Sequence, residues 1–364
     1  MIVPSLRGGG LERMVADLCG ELVKGGDRPR VFSLGGLGVF AKGLEEQGVQ
    51  TVDCRSAHVH LRGIPIPLIN ALRDFHPDLM HAHSGTWYSA VVGNLFVGVP
   101  LVFTEHGRVA NGSHLSAALD RWCARRTTVT VGVSEAAVES LRGLLRPSQP
   151  VEVVENCIDL STFSGHAPRS GQVVRDSWNL SASDVVLISV GRLESIKNQQ
   201  ALLDAMSIVS LSAERVHLVL IGSGSLESNL RKRALDLGVQ GRVVFAGFQN
   251  DIHSALAAAD IYVNSSLSEG LPLSILEAMA AGLPVVAPDV GGIEAALGKP
   301  PAGIIVDRPD PHLLAEALVK LVEDDNAREE LSRLAKTRAK RYDLTIMARA
   351  YSSLYRSIMD DGHG

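Results

Sequence analysis

One segment of the sequence combines two carboxylates with the signals that begin and end a helix. It runs from Glu269 to Gly282 and includes Glu277 in its second half. Pro272 suits the first position of a helix and Gly282 the position just beyond its end, which predicts a helix over about residues 272–281. Because carboxylates accept hydrogen bonds from hydroxyl groups and a helix N-terminus attracts anions, the segment suits a ligand with both hydroxyls and phosphates.

The two carboxylates cannot be neighbours on one helix face, since Glu269 precedes the predicted helix and Glu277 lies within it. Glu277 stands among Leu276, Ala278 and Met279, and an embedded carboxylate needs partners. We therefore expect both carboxylates to point into one pocket that also contains the helix N-terminus. The alternative for Glu277 is an exposed helix residue.

A second segment, Gly191–Asn198, places two cations after a predicted strand. Arg192 and Lys197 follow the apolar run Asp184–Val190. Ligands of open α/β sheets bind beyond the carboxyl ends of the strands. Two cations there suit a diphosphate, because Arg offers a planar fork and Lys a compact point charge. The alternative is a pair of solvated surface cations, although the position after a strand favours the diphosphate site.

Two further candidates lie in the first half of the chain. Arg7–Gly10 contains three glycines between the first predicted strand and the first predicted helix, so its backbone could approach a phosphate closely. A flexible turn explains this segment equally well. His106 lies in Thr104–Gly107, directly after the predicted strand Pro100–Thr104, where its ring could reach a ligand. A structural histidine is the slightly favoured alternative at this position.

The elements that must position these candidates alternate between short apolar runs and amphipathic segments, which predicts doubly wound parallel sheets. A helical stripe predicts the first helix over residues 11–24. The segment Leu160–Ser183 is rich in Ser, Gly and Pro and marks a domain boundary. The predicted strands are Pro29–Leu34, Leu79–His81, Pro100–Thr104, Val129–Val133, Val151–Val154, Asp184–Val190, Val216–Ile221, Val243–Phe245, Ile261–Val263, Pro284–Ala287 and Gly303–Val306.

The pattern predicts an α/β fold of two Rossmann-like, doubly wound domains that face a central cleft, over residues 1–160 and 161–342. The apolar stripe from Leu344 to Ile358 predicts a long helix within a terminal segment of residues 343–364. The chain opens on Met1–Pro4, which resembles the end of a strand. The first strand is therefore expected to be short, and the start of the chain to be incomplete.

Composition excludes several other classes of protein. Hydrophobic residues make up 46% and charged residues 21%, which suits a folded chain with a large core. The net charge of −5 argues against nonspecific nucleic-acid binding. No run of about 20 apolar residues predicts a membrane span, and no secretory leader is predicted. Four cysteines without a CxxC pair fit reduced thiols in the cytoplasm.

Other motifs give weaker signals. The pairs His58 with His60 and His81 with His83 lack a third ligand, so no metal site is predicted. Gly222–Gly224 resembles part of a dinucleotide fingerprint whose third glycine is missing, so NAD binding is not predicted either. The basic segment at residues 121–126 could touch an anionic membrane, although a solvated helix face is the favoured alternative.

Taken in order along the chain, these segments resemble the retaining nucleotide-sugar glycosyltransferases of family 4, which have the GT-B fold. PSLRGGGLERMV resembles the family's glycine loop, GRLESIKN its Arg/Lys diphosphate clamp, and EGLPLSILEAMAAGLPVVAPDVGG its E-x7-E segment. VVENCID resembles the interdomain PNGID element, except that Glu155 and Cys157 replace Pro and Gly. The resemblance covers almost the whole chain.

The resemblance implies a role for each matched position. Gly9 and Gly10 would approach the donor diphosphate, and Arg192 and Lys197, beside Gly191, would neutralise the leaving nucleoside diphosphate. Glu269 would bind hydroxyls of the donor sugar and Glu277 the ribose, while His106 would lie near the donor sugar. The remaining implied donor contacts are Gly270, Leu271, Pro272 and Leu273 around the phosphate and sugar, and Phe248 and Ile252 near the nucleobase.

The implied activity is the transfer of a hexosyl group, with retention, from a UDP- or GDP-sugar to a glycan, lipid-linked or small-molecule acceptor. The implied setting is bacterial cell-surface polysaccharide synthesis in the cytoplasm, with peripheral contact at the inner face of the membrane. The N-terminal domain would bind the acceptor, the second domain the donor, and the final helix would cross back to the first domain. No metal, cofactor or nucleic acid is implied, and the protein would be a monomer or homodimer. Two alternatives remain: a nucleotide-sugar 2-epimerase of similar architecture and a non-catalytic nucleotide-sugar-binding partner protein.

Overall fold

The structure is a computed structural model that describes residues 1–55, 63–107, 114–163 and 168–361. The chain forms two compact units: unit 1 is Met1–Cys157 with Leu344–Gly364, and unit 2 is Ile158–Asp343. The division falls after Cys157, whereas the sequence placed it after residue 160. The predicted boundary lies further along the chain because the Ser- and Gly-rich segment that marked it begins at Leu160, and unit 2 already begins at Ile158.

Unit 1 is built on a seven-stranded parallel sheet with the order β3-β2-β1-β4-β5-β6-β7. Its strands are β1 (Ile2–Val3), β2 (Arg30–Ser33), β3 (Gln50–Asp53), β4 (Met80–His83), β5 (Leu101–Glu105), β6 (Val129–Gly132) and β7 (Val151–Val153). The helices between them are α1 (Gly10–Lys24), α2 (Val39–Glu46), α3 (Ile66–Phe75), α4 (Trp87–Asn94), α5 (His114–Ala124) and α6 (Glu135–Arg142). The expectation of a short first strand is confirmed, since β1 has two residues.

The edge strand β3 was not predicted. Its sequence, QTVD, is exposed or half-buried throughout, so it lacks the apolar run that identified the inner strands. β4, β5 and β6 are buried at every position, as expected for parallel strands covered on both faces. The helical stripe of α1 is confirmed, because Met14, Val15, Leu18 and Leu22 are all buried.

Unit 2 contains a six-stranded parallel sheet with the order β10-β9-β8-β11-β12-β13. Its strands are β8 (Val185–Val190), β9 (Val216–Ile221), β10 (Val243–Gly247), β11 (Ile261–Val263), β12 (Val285–Pro288) and β13 (Gly303–Val306). Its helices are α7 (Pro168–Ser177), α8 (Gln199–Ser212), α9 (Glu227–Asp236), α10 (Ile252–Ala257), α11 (Leu273–Ala281), α12 (Ile293–Leu297), α13 (Pro311–Glu323) and α14 (Asp325–Ala339). The two doubly wound units confirm the predicted fold class.

The last helix, α15 (Leu344–Asp361), packs on unit 1 beside α1. Its predicted stripe is confirmed, since Met347, Tyr351 and Ile358 are buried. The Tyr351 hydroxyl lies 3.0 Å from Thr104 Oγ1 of β5, and the Tyr355 hydroxyl lies 2.6 Å from His81 Nδ1 of β4. The chain therefore passes through unit 2 and returns to contribute side chains beneath the sheet of unit 1.

Both sheets reverse their strand order at one place. In unit 1 the reversal lies between β1 and β4, and in unit 2 between β8 and β11. The loops at such a point diverge to opposite sides of the sheet and leave a crevice at the carboxyl ends of the strands. The segments predicted to carry chemistry follow β1, β5, β8 and β11, so the fold brings them to these two edges.

Candidate functional site

The centre of the candidate site in unit 2 is an ion pair between Lys197 and Glu269. Lys197 ends the 3₁₀ turn Ser195–Lys197 after β8, and Glu269 lies in the loop between β11 and α11. Lys197 Nζ lies 2.6 Å from Glu269 Oε1, and the two side chains are 23% and 8% exposed. Because β8 and β11 pair directly at the reversal point, residues 72 positions apart meet at the edge of the sheet.

One oxygen of Glu269 holds all of its described contacts. Glu269 Oε1 also accepts a hydrogen bond from Ser266 Oγ at 2.6 Å and lies 3.4 Å from Asn264 Nδ2. Asn264 and Ser266 are buried and joined to each other, since the Ser266 amide donates to Asn264 Oδ1 at 2.8 Å. Among the described residues, Oε2 has no hydrogen-bond donor, so the fixed carboxylate keeps one oxygen for a ligand hydroxyl.

The N-terminus of α11 lies directly after this carboxylate. Pro272 is the residue that precedes the helix rather than its first residue, because its extended backbone, with ψ of 118°, ends the loop. Gly282 confirms the predicted end of the helix, with the left-handed φ of 82° that glycine tolerates best. The first turn of α11 contains no acidic residue, so its free amides and positive dipole end are left for an anion.

The second carboxylate of the motif, Glu277, is buried inside α11. This placement excludes the alternative of an exposed helix residue. The charges of Glu269 and Glu277 both act on the phenol of Tyr262 in β11, where burial is the main cause that raises the pKa of Tyr262 above its ordinary value. The Tyr262 hydroxyl donates to Ser274 Oγ at 2.8 Å, in the first turn of α11. The two glutamates therefore flank one buried region at the helix N-terminus.

Glycines in two neighbouring loops allow this arrangement. A Cβ atom at Gly291 would lie 1.7 Å from the carbonyl oxygen of Glu269, and the Gly292 amide donates to the Gly270 carbonyl at 2.8 Å. The loop after β12 thus packs directly on the Glu269 loop. Similarly, a Cβ at Gly222 would lie 2.0 Å from the Gly191 carbonyl oxygen. The glycines that resembled a dinucleotide fingerprint therefore serve close backbone packing against the Lys197 loop.

Arg192 occupies the same loop as Lys197 without joining its ion pair. Its side chain is 60% exposed, and its Nη1 lies 3.0 Å from Glu194 Oε1. The Arg192 carbonyl accepts a hydrogen bond from Gln199 Nε2 at 2.9 Å, and the Gly191 amide donates to the Ile221 carbonyl at 2.9 Å. The loop backbone is anchored, while the guanidinium points to solvent, where a ligand can reach it.

The other predicted donor contacts divide into buried and exposed residues. Phe248 is 50% exposed in the loop after β10. Ile252 begins α10 and is buried in the core, which leaves its backbone rather than its side chain for a ligand. The residues that follow Glu269 are also buried. They are Gly270, Leu271 and Pro272 in the loop and Leu273 at the first position of α11. This segment can therefore offer mainly backbone groups.

In unit 1 the glycine loop lies against a carboxylate that was not among the predicted site residues. Gly9 precedes α1 and Gly10 begins it. Glu12, in the first turn of α1, is buried and accepts a hydrogen bond from Ser5 Oγ at 3.1 Å. A Cβ atom at Gly9 would lie 2.5 Å from Glu12 Oε2, so Gly9 makes room for this carboxylate. The positive end of α1 thus already faces an acidic group of the protein itself.

His106 belongs to a group of three neighbouring histidines on β4 and directly after β5. Its amide donates to Ser84 Oγ at 2.8 Å, and its Nε2 lies 3.0 Å from Nδ1 of the buried His83. His81 lies two residues before His83 on β4 and is also buried. Burial lowers the pKa of His106 to about 3 and holds the pKa values of His81 and His83 well below their ordinary range. The three rings are therefore neutral at physiological pH.

The histidines contact one another and nearby hydroxyls. Within the residues that the structure describes, no group of three or more His, Cys, Asp or Glu side chains is arranged to hold a metal ion. The other pair considered as ligands, His58 with His60, lies outside the described residues.

Two family models match the chain, one in each unit. The model of the Glycosyltransferase Family 4 matches residues 8–162, and that of the Glycosyl transferases group 1 matches residues 172–338. The chain belongs to the group 1 glycosyltransferases. The family expected from the glycine loop, the Arg/Lys clamp and the E-x7-E segment is thus confirmed, and the ion pair of this glycosyltransferase lies within the matched part of unit 2.

The glycosyltransferase resembles curated enzymes over most of its length. The D-inositol 3-phosphate glycosyltransferase of Corynebacterium efficiens is 28% identical over 301 residues, covering 76% of this chain and 70% of the relative. The UDP-Gal:alpha-D-GlcNAc-diphosphoundecaprenol alpha-1,3-galactosyltransferase of Escherichia coli is 27% identical over 274 residues, covering 71% and 70%.

Solved structures show the same fold. Anabaena HepE in complex with UDP and glucose has a TM-score of 0.85 and 21% identity to this glycosyltransferase, and 98% of each chain is covered. The predicted GT-B fold class is thereby confirmed. None of the helices described in the glycosyltransferase combines the length and hydropathy that a membrane span requires.

Proposed function

We propose that this glycosyltransferase moves a hexosyl group from a nucleoside diphosphate sugar, UDP- or GDP-linked, to an acceptor hydroxyl, with retention and without a metal or other cofactor. The observation that carries the proposal is the Lys197–Glu269 ion pair at the strand reversal of unit 2, next to the open N-terminus of α11. Unit 2 would bind the donor and unit 1 the acceptor.

Breaking the bond between sugar and diphosphate develops negative charge on the diphosphate and positive charge on the anomeric carbon. Lys197 and the amides of α11 offer fixed positive groups for the diphosphate, and Arg192 adds an exposed guanidinium. Glu269 Oε2 would accept a hydrogen bond from a hydroxyl of the donor sugar, and Glu277 would bind the ribose. Phe248 offers an exposed aromatic ring to the nucleobase.

Retention would follow from attack of the acceptor on the face that the diphosphate leaves, with a phosphate oxygen taking the proton of the acceptor hydroxyl. Lys197 and the helix N-terminus supply the charge stabilisation that such a step needs. Activity should therefore persist in excess EDTA. Loss of activity in EDTA that a divalent ion restores would contradict the metal-free proposal.

The relatives support the classes of donor and acceptor. The Corynebacterium enzyme acts on a small phosphorylated molecule, and the Escherichia coli enzyme acts from UDP-Gal on a lipid-linked sugar diphosphate, as their names state. HepE was solved with UDP and glucose. We propose a glycan, lipid-linked or small-molecule acceptor in bacterial cell-surface polysaccharide synthesis. The protein would be a cytoplasmic monomer or homodimer that works at the inner face of the membrane.

Thermal unfolding with UDP, GDP, ADP and their sugars tests the donor site, because a ligand that binds only the folded state raises the melting temperature. The nucleotides of one base should raise the melting temperature of the wild type, and the Lys197→Ala variant should lose most of that increase. No shift with any of these nucleotides would contradict the proposal.

A second test follows the fate of the sugar after binding. Incubation of the stabilising donor with candidate acceptors should give a product whose anomeric configuration matches the donor. Free sugar released without an acceptor would indicate the epimerase, and binding without turnover would indicate a non-catalytic protein.

A further inference from the structure

A short series of contacts, made of hydrogen bonds and one ring packing, leads from α15 to His106 in unit 1. His81 is held on both ring nitrogens, with Nδ1 2.6 Å from the Tyr355 hydroxyl and Nε2 2.7 Å from Thr104 Oγ1. The His83 ring packs against His81, with ring centroids 4.1 Å apart. Because His81 is fixed on both sides, it restricts rotation of the His83 ring that touches His106.

The contact between His83 Nδ1 and His106 Nε2, at 3.0 Å, requires one donor and one acceptor. Both rings are neutral, so each carries one N–H. Either His83 Nδ1–H donates to a bare His106 Nε2, or His106 Nε2–H donates to a bare His83 Nδ1. The two arrangements differ in whether the other nitrogen of each ring carries a proton or a lone pair.

The far nitrogen of His83 decides between them. His83 Nε2 is buried and has no hydrogen-bond partner among the described residues. If His106 donated, that nitrogen would carry an N–H without an acceptor, and orphaned buried N–H groups are rarer than under-satisfied acceptors. The arrangement in which His83 Nδ1–H donates leaves only a lone pair at that atom, and it places the proton of His106 on Nδ1.

We propose that His83 is a positioning residue that holds His106 in the neutral Nδ1–H form, so that His106 serves as a hydrogen-bond donor to a substrate oxygen and not as a base. No described residue bonds to His106 Nδ1, which leaves that N–H for a ligand. The inference rests on the proposed function, because the oxygen would belong to a substrate of the proposed transfer.

The backbone contacts of His106 support a fixed direction for this donor. Ser84 Oγ accepts from the His106 amide at 2.8 Å and donates to Glu105 Oε1 at 2.6 Å, which ties the residue after β5 to the end of β4. The low pKa of His106, about 3, means that the ring does not gain a second proton in the working range. A neutral donor of fixed direction suits an oxygen that gains partial charge as the glycosidic bond breaks.

Nitrogen NMR of the full-length protein with ¹⁵N-labelled histidine tests the proposal without substrate. The spectrum distinguishes a protonated ring nitrogen from a bare one. We expect His106 to show a protonated Nδ1 and a bare Nε2 between pH 5 and pH 8. A protonated Nε2, or a doubly protonated ring at pH 7, would overturn the inference. The assignment comes from the His106→Asn spectrum, in which one set of signals disappears.

A matched pair of variants at His83 tests the effect on turnover. In His83→Asn the side-chain amide can donate a hydrogen bond to His106 Nε2, whereas the carboxylate of His83→Asp can only accept one and would draw the proton to Nε2. We expect kcat of His83→Asp to be about tenfold below that of His83→Asn, as for the loss of one aligned hydrogen bond. Equal kcat values in two folded variants would contradict the positioning role.

The spectroscopic test stands even if the buried variants do not fold, because it uses the wild-type protein. It also separates the two proposals. A His106 Nε2–H form in an active hexosyltransferase would remove only the inference about His83. A confirmed Nδ1–H form in a protein that transfers no sugar would remove the proposed function instead.

Discussion

The carboxyl edges of the two parallel sheets share one topology and carry different chemistry. In unit 2, Lys197 and Glu269 form an ion pair that lies partly open to solvent. In unit 1, His83 and His106 meet at the ends of β4 and β5, next to the reversal, as neutral rings whose charged forms are suppressed by burial. The shared fold brings together residues that follow neighbouring strands, and the types of those residues decide whether the sheet edge offers charge or directional hydrogen bonds.

The charged state of Glu269 and the neutral state of the histidines follow from the groups that contact each side chain. Glu269 can be buried because a lysine, a serine and an asparagine surround one of its oxygens. The described contacts of His106 and His83 contain no carboxylate partner for either ring, so burial disfavours the protonated forms. Unit 2 is therefore suited to stabilise a charge that develops on a substrate, and unit 1 to orient a substrate oxygen.

The largest expected effect comes from removing the charge in unit 2. Lys197→Ala should lower kcat by about 10² to 10³-fold, since a fixed cation would no longer face the leaving diphosphate. Glu269→Ala should abolish transfer, because the hydroxyls of the donor sugar would lose the carboxylate that accepts their hydrogen bonds. Steady-state kinetics with the stabilising donor measures both, and circular dichroism should show an intact fold.

Lys320 of α13 offers the control for the lysine variant, since it is exposed and remote from the loops of the site in sequence. Lys320→Ala should retain wild-type turnover. Wild-type-like turnover of Lys197→Ala or Glu269→Ala would remove the assigned role and, with it, the contrast between the two units.

A backbone change should disturb the same site without touching a charge. In Gly291→Ala the new Cβ would lie 1.7 Å from the Glu269 carbonyl oxygen, and the residue has a left-handed φ of +61°. The Glu269 loop must move, and a displacement of about 1 Å is expected to cost about 100-fold in kcat/KM. Gly241→Ala is the control because a Cβ there meets nothing within 4 Å. Equal activity in the two variants would show that the loop tolerates the shift.

Acid should destabilise unit 1 through its histidines. The unfolded state binds protons near pH 6.5, whereas folded His106 binds one only near pH 3, so stability is lost as the pH falls below 6.5. Between pH 6.5 and 5 the loss from His106 is at most about 2 kcal/mol. This loss is measured by urea unfolding of the Trp178→Phe variant, followed by tryptophan fluorescence. The tryptophans that remain in this variant, Trp87 and Trp122, both lie in unit 1, so the signal reports on that unit.

The matched variant for the acid experiment is His106→Asn in the same Trp178→Phe background. Its unfolding free energy should fall less steeply with decreasing pH, because one proton-binding difference is gone. An identical pH dependence with and without His106 would mean that the folded and unfolded states bind the proton of this ring equally well, contrary to its burial.

The smallest expected effect concerns Arg192. Its guanidinium is exposed and paired with Glu194, so Arg192→Ala should lower kcat by no more than about tenfold, with a loss that shrinks at high salt. Arg142→Ala is the control, because that side chain is 59% exposed and also pairs with a neighbouring glutamate. An effect of Arg192→Ala as large as that of Lys197→Ala would show that both cations hold the diphosphate equally.

Several features could be predicted because they depend on residues close together in the sequence. The end of α11 at Gly282 follows from the left-handed position that glycine fills, and the burial of Glu277 was signalled by its apolar neighbours. The half-exposed strand β3 was missed because its sequence has no apolar run. Pro272 was placed one position too far into the helix because capping patterns define helix boundaries only to within a residue or two.

By itself the sequence determined the two-domain α/β pattern, the family and the loops on which the candidate residues lie. Only the tertiary structure joined Lys197 to Glu269, left Glu269 Oε2 open, placed Glu12 against Gly9 and brought His83 to His106. The reason is that strand order, and therefore which loops become neighbours, is set by the packing of whole helices and strands. Local patterns report the burial and capping of each element, but a contact between residues 72 positions apart exists only once the sheet has formed.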